Sequence, residues 1–126
     1  MMAPPSQLAI LTSSVERLIK EEASYHKELA QQEQRLERMI ASDSTEENAE
    51  FQVKQERAAI EETKAVFPPL CERIEMATDK LADKLEAEEG SAPEAEVTKA
   101  KEFITKAKAL KDTGNKKEKK EQEIIA

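Results

Sequence analysis

The sequence has no tryptophan, only two glycines and a single cysteine, and its aromatic residues are one tyrosine and three phenylalanines. Charged residues make up 37% of the chain and hydrophobic residues 38%. This composition is typical of long helices with solvated faces and a thin core, and it argues against a globular enzyme.

Signals for export or membrane insertion are also missing. One cysteine cannot form an internal disulfide, which fits a reducing compartment. The first residues, MMAPPSQLAILTSS, lack a basic region, and their apolar run is too short for a signal peptide. The sequence contains no run of about 18 apolar residues, so we expect no transmembrane helix. We therefore expect a soluble, cytosolic protein.

The net charge of −7 argues against nucleic acid and membrane surfaces as partners. Most of the excess acid lies in residues 42–90. The C-terminal KKEKK is followed by EQE and has no interleaved aromatic residues, which favours a solvated tail over a phosphate-binding one. An acidic surface of this kind favours protein partners.

A first amphipathic helix is predicted over about residues 6–41. Its seam residues alternate at intervals of three and four, and only Glu22 and Gln32 among them are polar. Four further apolar residues, Ile19, Ala23, Ala30 and Ile40, widen the stripe, which suits packing against two neighbours. The seam consists of Leu8, Leu11, Val15, Leu18, Glu22, Tyr25, Leu29, Gln32, Leu36 and Met39.

A second helix is predicted over about residues 45–89, opened by a capping box at Ser44 and Glu47. An apolar residue recurs every seven positions along it, and this register continues through Pro68 and Pro69. Each proline costs about 3 kcal/mol in a helix interior, and burial of the neighbouring apolar residues can offset that cost. Because the register survives, we expect a kink at Pro68-Pro69, not a chain reversal. The recurring residues are Val53, Ile60, Phe67, Ile74 and Leu81.

A third helix is predicted over about residues 92–112. Gly90 can cap the second helix in the left-handed conformation, and Ser91 to Glu94 reads as a second capping box. Val97, Ala100, Phe103, Ile104, Ala107 and Leu110 share one face. We expect Gly114 to end this helix and residues 113–126 to form a charged, disordered tail.

The fold class that follows is all-α, an elongated, spectrin-like antiparallel three-helix bundle of up-down-up topology over residues 1–112. The third helix is shorter than the other two, so part of the long pair lacks a third partner. A client or a second copy could dock there, which leaves both a monomer and a homodimer open.

Catalysis, cofactors and metals are not expected. His26 is the only histidine and reads as a partly exposed residue beside the seam. Cys71 lacks a neighbouring base and reads as a packing residue on the flank of the Phe67 to Ile74 stripe. Adjacent acidic pairs on a helix do not face each other, and no phosphate loop or catalytic motif is present.

Residues 15–39 resemble the first helix of the tubulin-binding cofactor A family. The similar motifs are RLIKE at 17–21, YHKE at 25–28, QQE at 31–33 and RM at 38–39. In the second helix, ETK at 62–64, Pro68 and RIE at 73–75 follow the family's order and spacing. Pro69 and the offset of Cys71 depart from the family's pattern. The resemblance covers about residues 8–110.

This resemblance implies a three-helix protein that binds β-tubulin released from the cytosolic chaperonin, holds it and passes it to other tubulin-folding cofactors. It implies a cytoplasmic, cytoskeleton-associated protein that uses no nucleotide of its own. The alternative, from another class, is a structural coiled-coil protein that self-associates or acts as an adaptor.

Binding to such a client would use the outer faces of the first two helices, where arginine and tyrosine make the better anchors. The predicted partner-binding residues are Arg17, Tyr25, Lys27, Glu28, Gln32 and Arg35 on the first helix, and Glu61, Glu62, Arg73 and Glu75 on the second.

Overall fold

A computed structural model of the chain describes residues 5–42 and 47–125, with side chains up to Lys111. It contains three α-helices, α1 (Gln7–Ala41), α2 (Ala49–Glu88) and α3 (Glu94–Ile125), and no strand among the described residues. The all-α, three-helix prediction is therefore confirmed.

Helix α1 begins directly after a serine cap. The Ser6 hydroxyl accepts a hydrogen bond of 3.0 Å from the Ala9 amide, which satisfies one of the amides without a partner at a helix start. At the other end, the Ser42 hydroxyl donates to the Met39 carbonyl at 2.8 Å. The helix between them matches the predicted range of 6–41 closely.

Helix α2 runs without interruption through Pro68 and Pro69. A chain reversal at this point is therefore excluded, while the kink stays a prediction. Ser44, the first residue of the predicted capping box, lies outside the described residues. The helix begins at Ala49 instead of at about residue 45.

The connection between α2 and α3 differs from the expected capping. Gly90 does not adopt a left-handed φ, so it is not a left-handed cap. The Ser91 hydroxyl donates to the Glu88 carbonyl at 3.4 Å, so this side chain serves the end of α2 and not the start of α3. The Ser91 and Ala92 amides also donate to the Glu88 carbonyl, and these backbone bonds close the turn without a glycine conformation.

Helix α3 continues past Gly114 to Ile125, whereas we expected it to end at Gly114. A single glycine in a helix interior costs only about 1 kcal/mol, and the lysines and glutamates that follow are good helix formers. The predicted end at Gly114 is therefore wrong. The division into a bundle over 1–112 and a tail over 113–126 stays a prediction.

The chain forms two compact units. The first comprises Met1–Ile19 with Cys71–Ala126, and the second comprises Lys20–Leu70. In the first unit, described side chains of all three helices are buried together, which gives this unit a three-helix core. They are Leu8, Thr12, Val15 and Leu18 of α1, Ile74, Thr78, Leu81 and Leu85 of α2, and Val97, Ala100 and Ala107 of α3.

The two buried threonines of this core are satisfied locally. Thr12 donates its hydroxyl to the Leu8 carbonyl at 2.8 Å, and Thr78 donates to the Ile74 carbonyl at 2.6 Å. Because each hydroxyl bonds the carbonyl four residues earlier, burial leaves neither oxygen without a partner. Threonine can therefore occupy core positions next to the predicted seam residues Leu11 and Ala77, which are only half-buried.

The second unit contains only the later part of α1 and the earlier part of α2. Four of its described residues are buried: Glu22, Ile60, Thr63 and Leu70. The remaining seam residues of α1 in this unit, from Tyr25 to Met39, are only half-buried. This helix pair therefore has a thinner core than the first unit.

Among the described residues, no helix is long and apolar enough to cross a membrane.

Candidate functional site

An aromatic cluster of Tyr25, His26 and Phe67 joins the two helices of the second unit. The His26 ring stacks on the Phe67 ring with centroids 4.4 Å apart, and Tyr25 meets Phe67 edge-on at 6.5 Å. Such aromatic pairs add about 0.5–1.5 kcal/mol beyond the area that they bury. The cluster therefore fixes α1 against α2 directly before Pro68.

Glu22 is the buried carboxylate of this unit, and His26 is its partner. The His26 Nε2 lies 2.9 Å from the Glu22 Oε1, one helical turn away. A buried carboxylate needs such a partner, because an unpaired charge away from water is costly. His26 itself is partly exposed, as expected. No group of three metal-ligating side chains occurs among the residues described.

A second contact between the helices pairs Arg35 with Glu56. The Arg35 Nη1 lies 3.5 Å from the Glu56 Oε1, and the Glu56 side chain is only 11% exposed. His26 on α1 meets Phe67 on α2, whereas the later Arg35 meets the earlier Glu56. The two helices of this unit therefore run in opposite directions.

Most of the predicted partner-binding residues lie in the second unit. Lys27 and Glu28 are exposed on α1, and Glu61 and Glu62 are exposed on α2, where Glu61 lies 3.9 Å from Lys64. These exposed charges could meet a protein partner without rearrangement. The predicted residues in this unit are Tyr25, Lys27, Glu28, Gln32, Arg35, Glu61 and Glu62.

Two of the predicted partner-binding residues also pack inside the helix pair. Tyr25 is half-buried against Phe67. Gln32 is also half-buried, and its Oε1 is a buried acceptor with no hydrogen-bond partner within the described part of the chain. Packing inside the helix pair therefore accounts for much of the surface of these two side chains.

The other three predicted residues belong to the first unit. Arg17, Arg73 and Glu75 are all exposed. Glu75 forms an ion pair of 2.9 Å with Lys111 of α3. The same unit also pairs Glu16 with Lys99 and Ser6 with Glu96, so α3 contacts both other helices through polar side chains.

Cys71 is exposed, not a packing residue as predicted. It follows the buried Leu70, and one step along a helix turns a side chain by about 100°, which carries Cys71 out of the buried stripe.

Conversely, the sequence reasoning missed Glu56 as a contact residue. Glu56 lies three residues after Val53 and four residues before Ile60. This spacing within the seven-residue register was the signal that could have identified it as a contact residue.

The sequence pattern of the family "Tubulin binding cofactor A" matches residues 3–104. The chain belongs to the tubulin binding cofactor A family. Membership agrees with the prediction that the chain is not an enzyme, because the family is described as a binding cofactor.

Individual relatives agree with this assignment. Tubulin-specific chaperone A of Oryctolagus cuniculus is 37% identical over 89 residues, which is 69% of this chain and 79% of the relative. Tubulin-specific chaperone A of Mus musculus is 33% identical over 109 residues, or 85% of this chain and 97% of the relative. The resemblance seen in the residues 15–39 and 62–75 thus extends over most of the chain.

The fold also has a solved counterpart. The crystal structure of tubulin folding cofactor A from Arabidopsis thaliana matches with a TM-score of 0.71. The match covers 81% of this chain and 92% of that chain, at 24% sequence identity. At this identity the likeness supports the helical fold of a family member and nothing finer.

Proposed function

We propose that the chain is a tubulin-folding cofactor that binds β-tubulin after its release from the chaperonin and holds it for pairing with α-tubulin. The single observation that carries this proposal is the family match over residues 3–104. Relatives across this family are named tubulin-specific chaperones. The proposal includes a hand-over to other tubulin-folding cofactors and a cytoplasmic, cytoskeleton-associated location.

The mechanism is stoichiometric binding without chemistry. The helices offer exposed charged side chains of both signs, such as Lys27, Glu28 and Glu62. Charges of this kind steer a protein partner into place and set its orientation, while a few large side chains supply most of the affinity. We assign the anchoring role to the exposed Arg17 and Arg73 and to the accessible part of Tyr25.

Within the second unit, contacts between the two helices fix the side chains proposed to bind tubulin there. The stacked rings of His26 and Phe67 and the Arg35–Glu56 pair hold α1 against α2. A preformed surface loses less conformational entropy on binding than one that must first become ordered. The complete set proposed to contact tubulin is Arg17, Tyr25, Lys27, Glu28, Gln32, Arg35, Glu61, Glu62, Arg73 and Glu75.

The test is capture of tubulin from a cell extract on the immobilised full chain, with bound α- and β-tubulin measured separately. The proposal expects β-tubulin to be retained in clear excess over α-tubulin. Retention of neither, or of α-tubulin alone, contradicts it. The alternative, a coiled-coil adaptor, predicts self-association without retention of either tubulin.

A further inference from the structure

Ser91 lies in the exposed turn between α2 and α3. Glu88 is the last residue of α2 and Glu94 is the first residue of α3, so the serine stands between the two helices. The Ser91 side chain is exposed, and a Cβ added at the neighbouring Gly90 would have no heavy atom within 4 Å. Because the Ser91 hydroxyl does not cap α3, the fold leaves it accessible for another role.

The sequence around Ser91 is acidic on both sides. Glu88 and Glu89 lie three and two residues before the serine, and Glu94 lies three residues after it. Protein kinases select their substrates partly by the pattern of charge around the modified residue, and acid-directed kinases favour a carboxylate three positions after it. The residues from Ser91 to Glu94 have this spacing. The segment that resembles a capping box therefore also matches an acid-directed phosphorylation motif.

The carboxylate of Glu94 is available to a kinase. Glu94 is exposed in the first turn of α3, and its side chain makes no hydrogen bond or ion pair with another described residue. Glu88, by contrast, pairs with Lys84 at 2.9 Å. Glu89 pairs with Lys101 at 2.5 Å. A basic side chain of a kinase can therefore contact Glu94 without breaking an ion pair of this chain.

The turn can keep its shape when Ser91 carries a phosphate. The Ser91 hydroxyl donates to the Glu88 carbonyl at 3.4 Å, which is long for a hydrogen bond between two oxygen atoms. The same carbonyl accepts shorter bonds from the Ser91 and Ala92 amides, at 3.0 and 2.8 Å. Phosphorylation removes only the hydroxyl donor, so these backbone bonds remain. The start of α3 also favours a negative charge nearby.

Ser13 provides a comparison within the same chain. It is exposed, and Glu16 follows it by the same three residues. Ser13 lies inside α1, however, and Glu16 pairs with Lys99 at 3.7 Å. A kinase needs an extended segment around the serine, which a helix interior provides only after local unfolding. The two serines therefore share the spacing of the motif but differ in their accessibility to a kinase.

We infer that Ser91 is a phosphorylation site for an acid-directed protein kinase. The γ-phosphoryl group of ATP is transferred to the Ser91 Oγ, the bond to the departing ADP breaks, and the hydroxyl proton passes to the base of the kinase. The phosphate ester carries a charge of about −1.5 to −2 at neutral pH. Phosphorylation thus gives the turn between α2 and α3 a concentrated negative charge that a basic protein surface can recognise.

Incubation of the full chain with purified casein kinase II and ATP tests this, with tandem mass spectrometry to locate the phosphate. Ser91 should be modified, whereas Ser13 should not. Ser91→Ala should abolish incorporation at this position. Glu94→Gln should lower the rate of Ser91 modification at least tenfold, because the charged contact with the kinase is lost.

Glu102→Gln is the matched control, because Glu102 is also exposed on α3 and its substitution changes the net charge equally. It should leave the rate of modification at Ser91 unchanged. Ser44 also precedes a glutamate, Glu47, by three positions, so incorporation at each serine is measured separately. Circular dichroism should show that the phosphorylated chain keeps its helical content.

Absence of phosphate at Ser91 overturns the inference, and so does modification of Ser13 at an equal rate. Equal rates for Glu94→Gln and the Glu102→Gln control would show that the acidic motif is not recognised. A loss of helical content on phosphorylation would contradict a turn that accommodates the phosphate. Tubulin is absent from these measurements, so their outcome leaves the proposed function standing.

Discussion

At the scale of single residues, Phe67 is the side chain that makes both aromatic contacts between α1 and α2 in the second unit. It contacts both His26 and Tyr25, whereas Phe51 is 59% exposed on the same helix. Burial therefore separates two residues that composition alone treats as equal. Their difference can be measured as a difference in folding free energy.

Phe67→Ala should lower the free energy of unfolding by about 2 kcal/mol, less than the 3–5 kcal/mol typical of a fully buried phenylalanine. The loss combines the apolar area of the ring with its two aromatic contacts. Urea unfolding followed by circular dichroism provides the measurement. Phe51→Ala is the control and should change stability by no more than about 0.5 kcal/mol. Equal effects of the two substitutions would contradict the aromatic cluster.

Gly90 is a second residue whose conformation has a measurable consequence. Its φ is not left-handed, and a Cβ added there would have no heavy atom within 4 Å. Gly90→Ala should therefore raise the free energy of unfolding by about 0.4–1 kcal/mol, because it reduces the freedom of the unfolded chain. A thermal unfolding series measures the change. Destabilisation would show that the residue needs the left-handed conformation that the sequence first suggested.

At the scale of helices, the prolines of α2 are the clearest interruption of regular helical hydrogen bonding. They lie inside an unbroken helix, and both side chains are exposed. Pro68 and Pro69 cannot donate to the carbonyls of Lys64 and Ala65, so two helical hydrogen bonds are missing here. The neighbouring Leu70 and Ile74 are buried, and their packing offsets this loss.

Pro69→Ala should therefore raise the free energy of unfolding, by about 1–3 kcal/mol. The substitution restores an amide donor for the Ala65 carbonyl, and it removes little packing because Pro69 is exposed. Denaturant unfolding gives the value, and Ala65→Gly on the same helix should shift it in the opposite direction. A loss of stability in Pro69→Ala would mean that the proline ring, or the predicted bend at this position, is needed for packing.

The helices were predictable from the sequence because their periodic residues are also their buried residues. Leu8, Val15 and Leu18 lie in the predicted seam and are buried. Predictions at helix ends were less successful, because Gly90, Ser91 and Gly114 permit particular end structures without requiring them. At the end of α2, the Ser91 and Ala92 amides donate to the Glu88 carbonyl, and no left-handed glycine cap forms.

Part of the candidate site was also beyond sequence reasoning. The stacking of His26 on Phe67 and the pairing of Arg35 with Glu56 join residues far apart in the chain. Periodicity assigns residues to a side of a helix but does not set which levels of two helices meet. Only the register of α1 against α2 brings these side chains together.

At the scale of the whole molecule, the many exposed charges should determine how fast the chain associates with a protein partner. Charged residues make up 37% of the sequence, and both signs occur on the exposed faces of α1 and α2. Charges of this kind accelerate association more than they strengthen the final complex, and dissolved salt screens them. The association rate should therefore depend on the salt concentration if these charges take part in binding.

Association of the chain with tubulin should slow by about tenfold or more between 0.05 and 0.5 M salt, while the dissociation rate changes less. Surface plasmon resonance with the immobilised chain separates the two rates. An association rate that does not depend on salt would contradict a charged docking surface and would favour contacts of a mainly apolar kind.

The central claim is that the chain holds one tubulin polypeptide without catalysis, and the mass of the complex tests it most directly. The chain is mixed with β-tubulin, without added nucleotide, and the complex is separated by size-exclusion chromatography with light scattering. We predict a stable complex that contains β-tubulin and this chain in a fixed ratio and no α-tubulin. Separate elution of β-tubulin and the chain, or a complex that forms only with the αβ dimer, would contradict the claim.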